Sequence, residues 1–110
     1  MPITRDDFSK IEMRCGTIIE ANDFLNAKKP AYQLKIDFGA YGIKQSSAQI
    51  TDHYSKESLI GKQIIAVVNF PPKQIANFFS ECLVLGVYDE NNQVILLRTD
   101  KQTVNGQLIG

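Results

Sequence analysis

The sequence predicts an all-β fold: a small antiparallel Greek-key barrel with one short helix between its third and fourth strands and another short helix ahead of the first. Three observations point there. Apolar and polar residues alternate with period two through much of the first half of the chain, as strands buried on one face require. That period gives way to helical spacing between Thr51 and Gly61. Beyond it, three further apolar runs are separated by a Pro71-Pro72 loop and a Glu90-Asn91-Asn92 turn.

The elements follow in order. Thr4, with Asp7 three residues on, resembles a capping box for a short N-terminal helix anchored by Phe8. In the first strand Ile11, Met13, Cys15, Thr17 and Ile19 alternate with Glu12, Arg14, Gly16 and Glu20; in the second Tyr32, Leu34, Ile36 and Phe38 alternate with Gln33, Lys35 and Asp37. Gly39-Ala40-Tyr41-Gly42 supplies a turn into a more polar third strand, Ile43 to Ile50. These three strands form an antiparallel meander. Ser55 is placed to cap one or two helical turns that Gly61 ends. The fourth strand runs from Lys62 to Phe70, the fifth from Cys82 to Val87, and the sixth covers Val94 to Leu97. Three strands, a helix and then further strands is the element order of an OB-fold.

With 110 residues, 44% apolar and 22% charged, the chain reads as one domain over residues 1–110, able to bury roughly two-thirds of its unfolded surface. No repeat or linker interrupts it, and no apolar run approaches the roughly 20 residues of a membrane-spanning helix. The N-terminus carries Asp6 and Asp7 where a secretory signal carries bases, so a cytoplasmic location without membrane insertion is expected. Cys15 and Cys82 read as buried thiols, with a disulfide as the alternative.

Catalytic signatures are absent. His53 is the single histidine and is expected to sit exposed beside the helix; there is no Gly-x-Ser-x-Gly elbow, Walker sequence, dinucleotide glycine pattern or paired metal-ligand set. The expectation is a non-enzymatic protein with no cofactor and no metal.

Twelve bases balance twelve acids, which argues against general polyanion binding. The balance is uneven along the chain: residues 28–73 carry a net +4 and each flank −2. Against this stands Asn69-Phe70-Pro71-Pro72-Lys73-Gln74-Ile75-Ala76-Asn77-Phe78-Phe79-Ser80, an unusually apolar connection for a surface. In an OB-fold it joins strands four and five and flanks the ligand-binding face, opposite the first loop with Lys28-Lys29. Two ligand classes fit. Phe70, Pro71, Ile75 and Phe78 can supply apolar contact to an extended peptide, with Ser46, Gln49, Asn69 and Gln74 bonding its backbone. Alternatively Lys28, Lys29, Lys44 and Lys73, with Ser80, can hold structured RNA. Phe78 and Phe79 could instead plug the barrel end or a subunit interface.

Asp7-Phe8-Ser9-Lys10-Ile11-Glu12-Met13-Arg14-Cys15-Gly16-Thr17-Ile18 is similar to the opening of the tRNA-binding OB domain found alone or appended to some methionyl- and phenylalanyl-tRNA synthetases. Within that superfamily, three blocks resemble the CsaA family of export-related chaperones: residues 29–39, Ser46-Ser47-Ala48-Gln49-Ile50-Thr51, and Val67 through Ile75. The resemblance spans about residues 6–110. It implies a homodimer completed by the terminal segments, an apolar peptide pocket on each protomer, handling of unfolded preproteins before export, contact with export machinery, and a tRNA-type interaction. The tRNA-binding relatives carry an Asn-Leu-Lys-Pro-Arg-Lys loop, onto which Asn69, Pro72 and Lys73 map, as does the Ser80-Glu81 pair. Pro71 and Gln74 stand where those relatives have lysines, which shifts the expectation from RNA toward polypeptide.

Overall fold

Residues Met1–Gly110 are all described by the structure, a computed structural model. The alternating runs pair as the sequence predicts. β1 (Met13–Asp23), β2 (Tyr32–Asp37) and β3 (Ile43–Ala48) form an antiparallel meander, with a 3₁₀ turn over Gly39–Tyr41 between the last two. β4 (Gln63–Val67) returns beside β1, and β7 (Leu83–Val84) pairs on its far side, giving the sheet order β3-β2-β1-β4-β7. This is a nearly closed five-stranded antiparallel barrel of the OB type. Two small hairpins complete it: β5 (Lys73–Ile75) with β6 (Phe78–Ser80), and β8 (Gly86–Tyr88) with β9 (Val94–Leu96).

Ile18, Leu34, Ile36, Phe38, Leu59 and Ile64 are the fully buried large side chains of the core. Leu59 comes from α2 (Lys56–Leu59), a helix of 4 residues that is too short to persist on local propensity. Ser55 and Ser58 satisfy its first amides through a reciprocal capping pair, and burial of Leu59 fixes it against the core. At the N-terminus, Thr4 and Asp7 form the predicted capping box of α1 (Arg5–Ser9). Phe8 is not its anchor, because 37% of it stays exposed.

Four other features depart from the alternation. In β1 the register steps from Ile18↔Ile36 to Glu20↔Lys35, so Ile19 is an inserted residue. Ahead of that bulge Gly16 and Ile18 already face the core, so the face carrying Ile11, Thr17 and Ile19, expected inside, is the outer one; Ile18 is fully buried and Ile19 43% exposed. The connection after β4 is not an open loop but the tight β5–β6 hairpin, turning at Ala76-Asn77. Ala76 has φ 55, a left-handed conformation usually given to glycine in this turn position, so the hairpin lacks its usual sequence mark. The predicted fifth strand bends at Leu85: β7 stays on the barrel, while β8 leaves it to pair with β9. Finally, the C-terminal segment adds to β1: Cys15 N–H donates to Gln107 O, Gly106 N–H to Cys15 O and Ile109 N–H to Met13 O. Gln63, buried in β4, ties down that segment. Its amide donates to Thr103 O and Asn105 Oδ1, and its carbonyl accepts from Thr103 N–H and Thr99 Oγ1. Cys15 and Cys82 are both buried free thiols.

Gly16 faces the core with no room for a side chain. A Cβ there would lie 2.7 Å from the Phe38 ring and 2.8 Å from Ile36 Cγ2. Gly16→Ala is expected to destabilise the fold by about 1–3 kcal/mol through overpacking; urea unfolding measures it.

Candidate functional site

The barrel does not close by a continuous ladder between β3 and β7. Its seam is made by side chains and by one backbone bond. Glu81 N–H donates to Gln45 O, while the Glu81 carboxylate accepts from Gln45 N–H and the Ser80 hydroxyl accepts from Ser47 N–H. Ser46, fully buried, donates to Cys82 O at 3.0 Å. Gln45 Nε2 also holds Phe79 O. Past Ser47 the closure stops: neither the amide nor the carbonyl of Gln49 bonds to any protein group.

Below that point the two strand edges diverge into a trough. One half, about 300 Å³, lies against Phe70, Pro71 and Leu83. The other, about 390 Å³, lies between Gln49-Ile50 and the strands that carry Val84, Tyr88 and Val94. The halves share Lys73, Ser80, Cys82 and Leu83, so they adjoin across these residues and Lys73 lines both. Lys73 is the sole charged residue lining either half, and it has no ion-pair partner. Burial pushes the Cys82 thiol up to about 11, partly offset by its hydrogen bond with Ser46, so it lines the trough as a neutral thiol.

The residues predicted for peptide contact therefore divide. Phe70, Pro71, Gln49 and Ile75 line the trough. Ser46 is sealed inside the seam, out of reach of a surface ligand. Asn69 has both ends of its amide committed, accepting from Glu12 N–H and donating to Lys10 O; it clamps the N-terminal segment to the end of β4. Gln74 donates to Ala76 O inside the hairpin turn. Phe78 packs on Phe24 with ring centroids 5.3 Å apart, docking the hairpin onto the loop after β1. Leu83, Tyr88 and Val94 were hidden in the sequence, since they read as ordinary strand residues.

Of the four predicted RNA-contacting lysines, only Lys73 is in the trough beside Ser80. Lys44 sits on a separate depression with Glu20 and Glu81, and Lys28 and Lys29 are exposed in the loop after β1. None of the four forms an ion pair. No three His, Cys, Asp or Glu side chains are grouped as a metal site. A second, larger cavity of about 790 Å³ lies between the chain ends, lined by Ile3, Phe8, Ile11 and Leu108 together with Glu12 and Arg14.

The family described as "Putative tRNA binding domain" matches residues 13–108. Among the solved structures that match over essentially the full chain are two CsaA chaperones. One is a chaperone CsaA of Bacillus anthracis, with 49% identity, TM-score 0.94 and 100% of each chain covered. The other is a CsaA chaperone protein of Picrophilus torridus, with 57% identity, TM-score 0.93, and 99% of this chain and 100% of that one covered. The chain belongs to the CsaA family, within the tRNA-binding domain superfamily. It is also 36% identical over 107 residues to the methionine–tRNA ligase of Methanococcoides burtonii, matching 97% of this chain but only 16% of that enzyme. The CsaA-type barrel here thus corresponds to a small part of the ligase. No helix is long and apolar enough to cross a membrane.

The trough wall on the β8–β9 side is held by one acid. Asp89 accepts from the Gln93 and Asn91 amides and lies 2.7 Å from His53 Nε2. The Gln93 amide first, then the His53 ring, hold its carboxyl below the usual carboxylate range. A lowered folded-state pKa contributes stability above the unfolded value of about 4, and that contribution is lost as pH falls below it. Asp89→Asn is expected to lower stability at neutral pH, and the difference from wild type should shrink steadily below pH ~4 in urea unfolding at a series of pH values.

Proposed function

We propose that this chain is a non-enzymatic chaperone that captures unfolded preproteins or apolar peptides transiently in the trough, acting in the cytoplasm ahead of protein export and in contact with the export machinery. The observation that carries this reading is an open, mostly apolar trough bordered by a strand edge with free backbone groups. Extended polypeptide matches both properties, since it offers a backbone to the edge and alternate side chains to the apolar floor. Burying two or three apolar side chains at roughly 1.5–3 kcal/mol each, less the cost of association, gives micromolar or weaker binding. Weak binding of that order suits repeated capture and release. The full-length likeness to proteins described as CsaA chaperones supports the reading.

A homodimer forms part of it. Ile3, Phe8, Ile11 and Leu108 leave apolar surface around the terminal cavity, which a second copy would cover. Ile11→Asp is expected to convert a dimeric solution mass to a monomeric one; an unchanged mass would place the contact elsewhere.

A second reading, binding of tRNA or other structured RNA, is favoured by the four lysines without ionic partners and by the family match. Paired lysines would be partly neutralised; these four form no ion pair.

Two measurements separate the readings. Phe70→Ala with Leu83→Ser should weaken suppression of client aggregation about tenfold, and an unaltered activity would count against capture in the trough. Under the RNA reading, tRNA affinity should fall roughly 20- to 60-fold over a fourfold rise in salt, as three or four phosphate contacts require, whereas binding of an uncharged apolar peptide should hardly change.

A further inference from the structure

The trough has one charge lining both of its halves and apolar surface in each, and this arrangement constrains what polypeptide it accepts. Resting on the capture reading above, we infer that it selects extended segments with an acidic side chain flanked by apolar residues two positions away on each side.

Three features of the geometry lead there. Lys73 lines both halves, with Phe70 and Pro71 in one and Ile50, Tyr88 and Val94 in the other. No carboxylate of the chain pairs with it. A ligand carboxylate is the charge complement, and a charge that lines both halves calls for an internal Asp or Glu; a chain-terminal carboxylate would leave one apolar half empty.

The edge sets the spacing. Along β3 the outward-facing backbone groups recur at alternate residues. Both backbone groups of Gln45 are taken by Glu81 and the Ser47 N–H by Ser80, and Gln49 is the next in sequence with nothing bonded to it. A segment pairing at Gln49 lies as an added strand, in which side chains i−2, i and i+2 share one face at about 6.6–6.8 Å intervals. With the acid at i facing Lys73, positions i−2 and i+2 face the two apolar halves. The volumes, about 300 and 390 Å³, accommodate a leucine- or phenylalanine-sized group each. The same charge rejects segments with a central Lys or Arg, so selection is by sign as well as by hydrophobicity.

Lys73 is exposed and outside the core, so its replacement leaves the fold intact. The test uses fluorescent nine-residue peptides with Leu at positions 3 and 7 and Glu, Gln or Lys at position 5, and a fourth with Gln at position 5 and a C-terminal Glu. Anisotropy titrations of wild type, Lys73→Gln and Lys73→Glu give the affinities. Wild type should bind the central-Glu peptide roughly fivefold tighter than the central-Gln or C-terminal-Glu peptide, the scale of one ion pair at a partly exposed site. Lys73→Gln should abolish that preference and Lys73→Glu should reverse it in favour of Lys. Equal binding of all four peptides by wild type, or a preference that survives Lys73→Glu, overturns the inference while leaving peptide capture standing. Binding of none of them, with client aggregation unsuppressed, overturns both. Competition by tRNA alone, with no peptide bound, would assign Lys73 to RNA and overturn the inference as well.

Discussion

Everything specific to the candidate site depends on how the barrel is sealed between β3 and the segment Ser80–Cys82. A continuous backbone ladder there would leave a closed barrel with no usable edge. Instead Glu81 and Ser80 satisfy Gln45 and Ser47 with side-chain oxygens, one backbone bond joins Glu81 to Gln45, and Ser46 locks onto Cys82 O from inside. Side chains can close an edge only as far as they reach. The seal therefore ends after Ser47, and the free edge at Gln49 borders an apolar trough. Unpaired edges invite aggregation; here the seal covers Gln45 and the Ser47 amide.

The same economy of contacts holds the surroundings in place. The β5–β6 hairpin, which carries Lys73 and one wall of the trough, docks through Phe78 on Phe24 and through Gln45 on Phe79 O. The β8–β9 wall is fixed through Asp89 with His53, and through the Tyr54 hydroxyl, which accepts from Leu96 N–H. The chain ends are tied to the opposite part of the barrel by Asn69 and Gln63. Polar residues around the site thus mostly serve the scaffold, and the trough is left to apolar side chains and one lysine.

That division explains what the sequence revealed and what it concealed. The meander was legible because Tyr32, Leu34 and Ile36 keep strict period two and are buried accordingly. The capping box at Thr4 and the N-cap at Ser55 were legible from residue type and spacing alone, whereas the reciprocal bond from Ser58 was not. The bulge at Ile19 was not, since a register step depends on the partner strand, and neither was the inward face of β1, where Gly16 and Ile18 rather than the odd-numbered residues meet the core. The β5–β6 hairpin was concealed because Ala76 takes a conformation that glycine normally marks. At the site, the apolar loop around Phe70 and Pro71 stood out by composition. The roles of Ser46 and Asn69 did not, because a seryl or asparaginyl side chain looks the same in sequence whether it faces a ligand or bonds to its own backbone.

Mapping amide chemical shifts by NMR, as an unlabelled apolar client peptide is titrated into the isotopically labelled protein, tests the account most directly. Capture in the trough predicts that the largest changes fall on Gln49, Phe70, Lys73, Leu83 and Tyr88, with the Gln49 amide shifting downfield as it gains a hydrogen bond. Changes confined to Phe8, Ile11 and Leu108, with the Gln49 amide unmoved, would contradict it and place polypeptide binding on the terminal face.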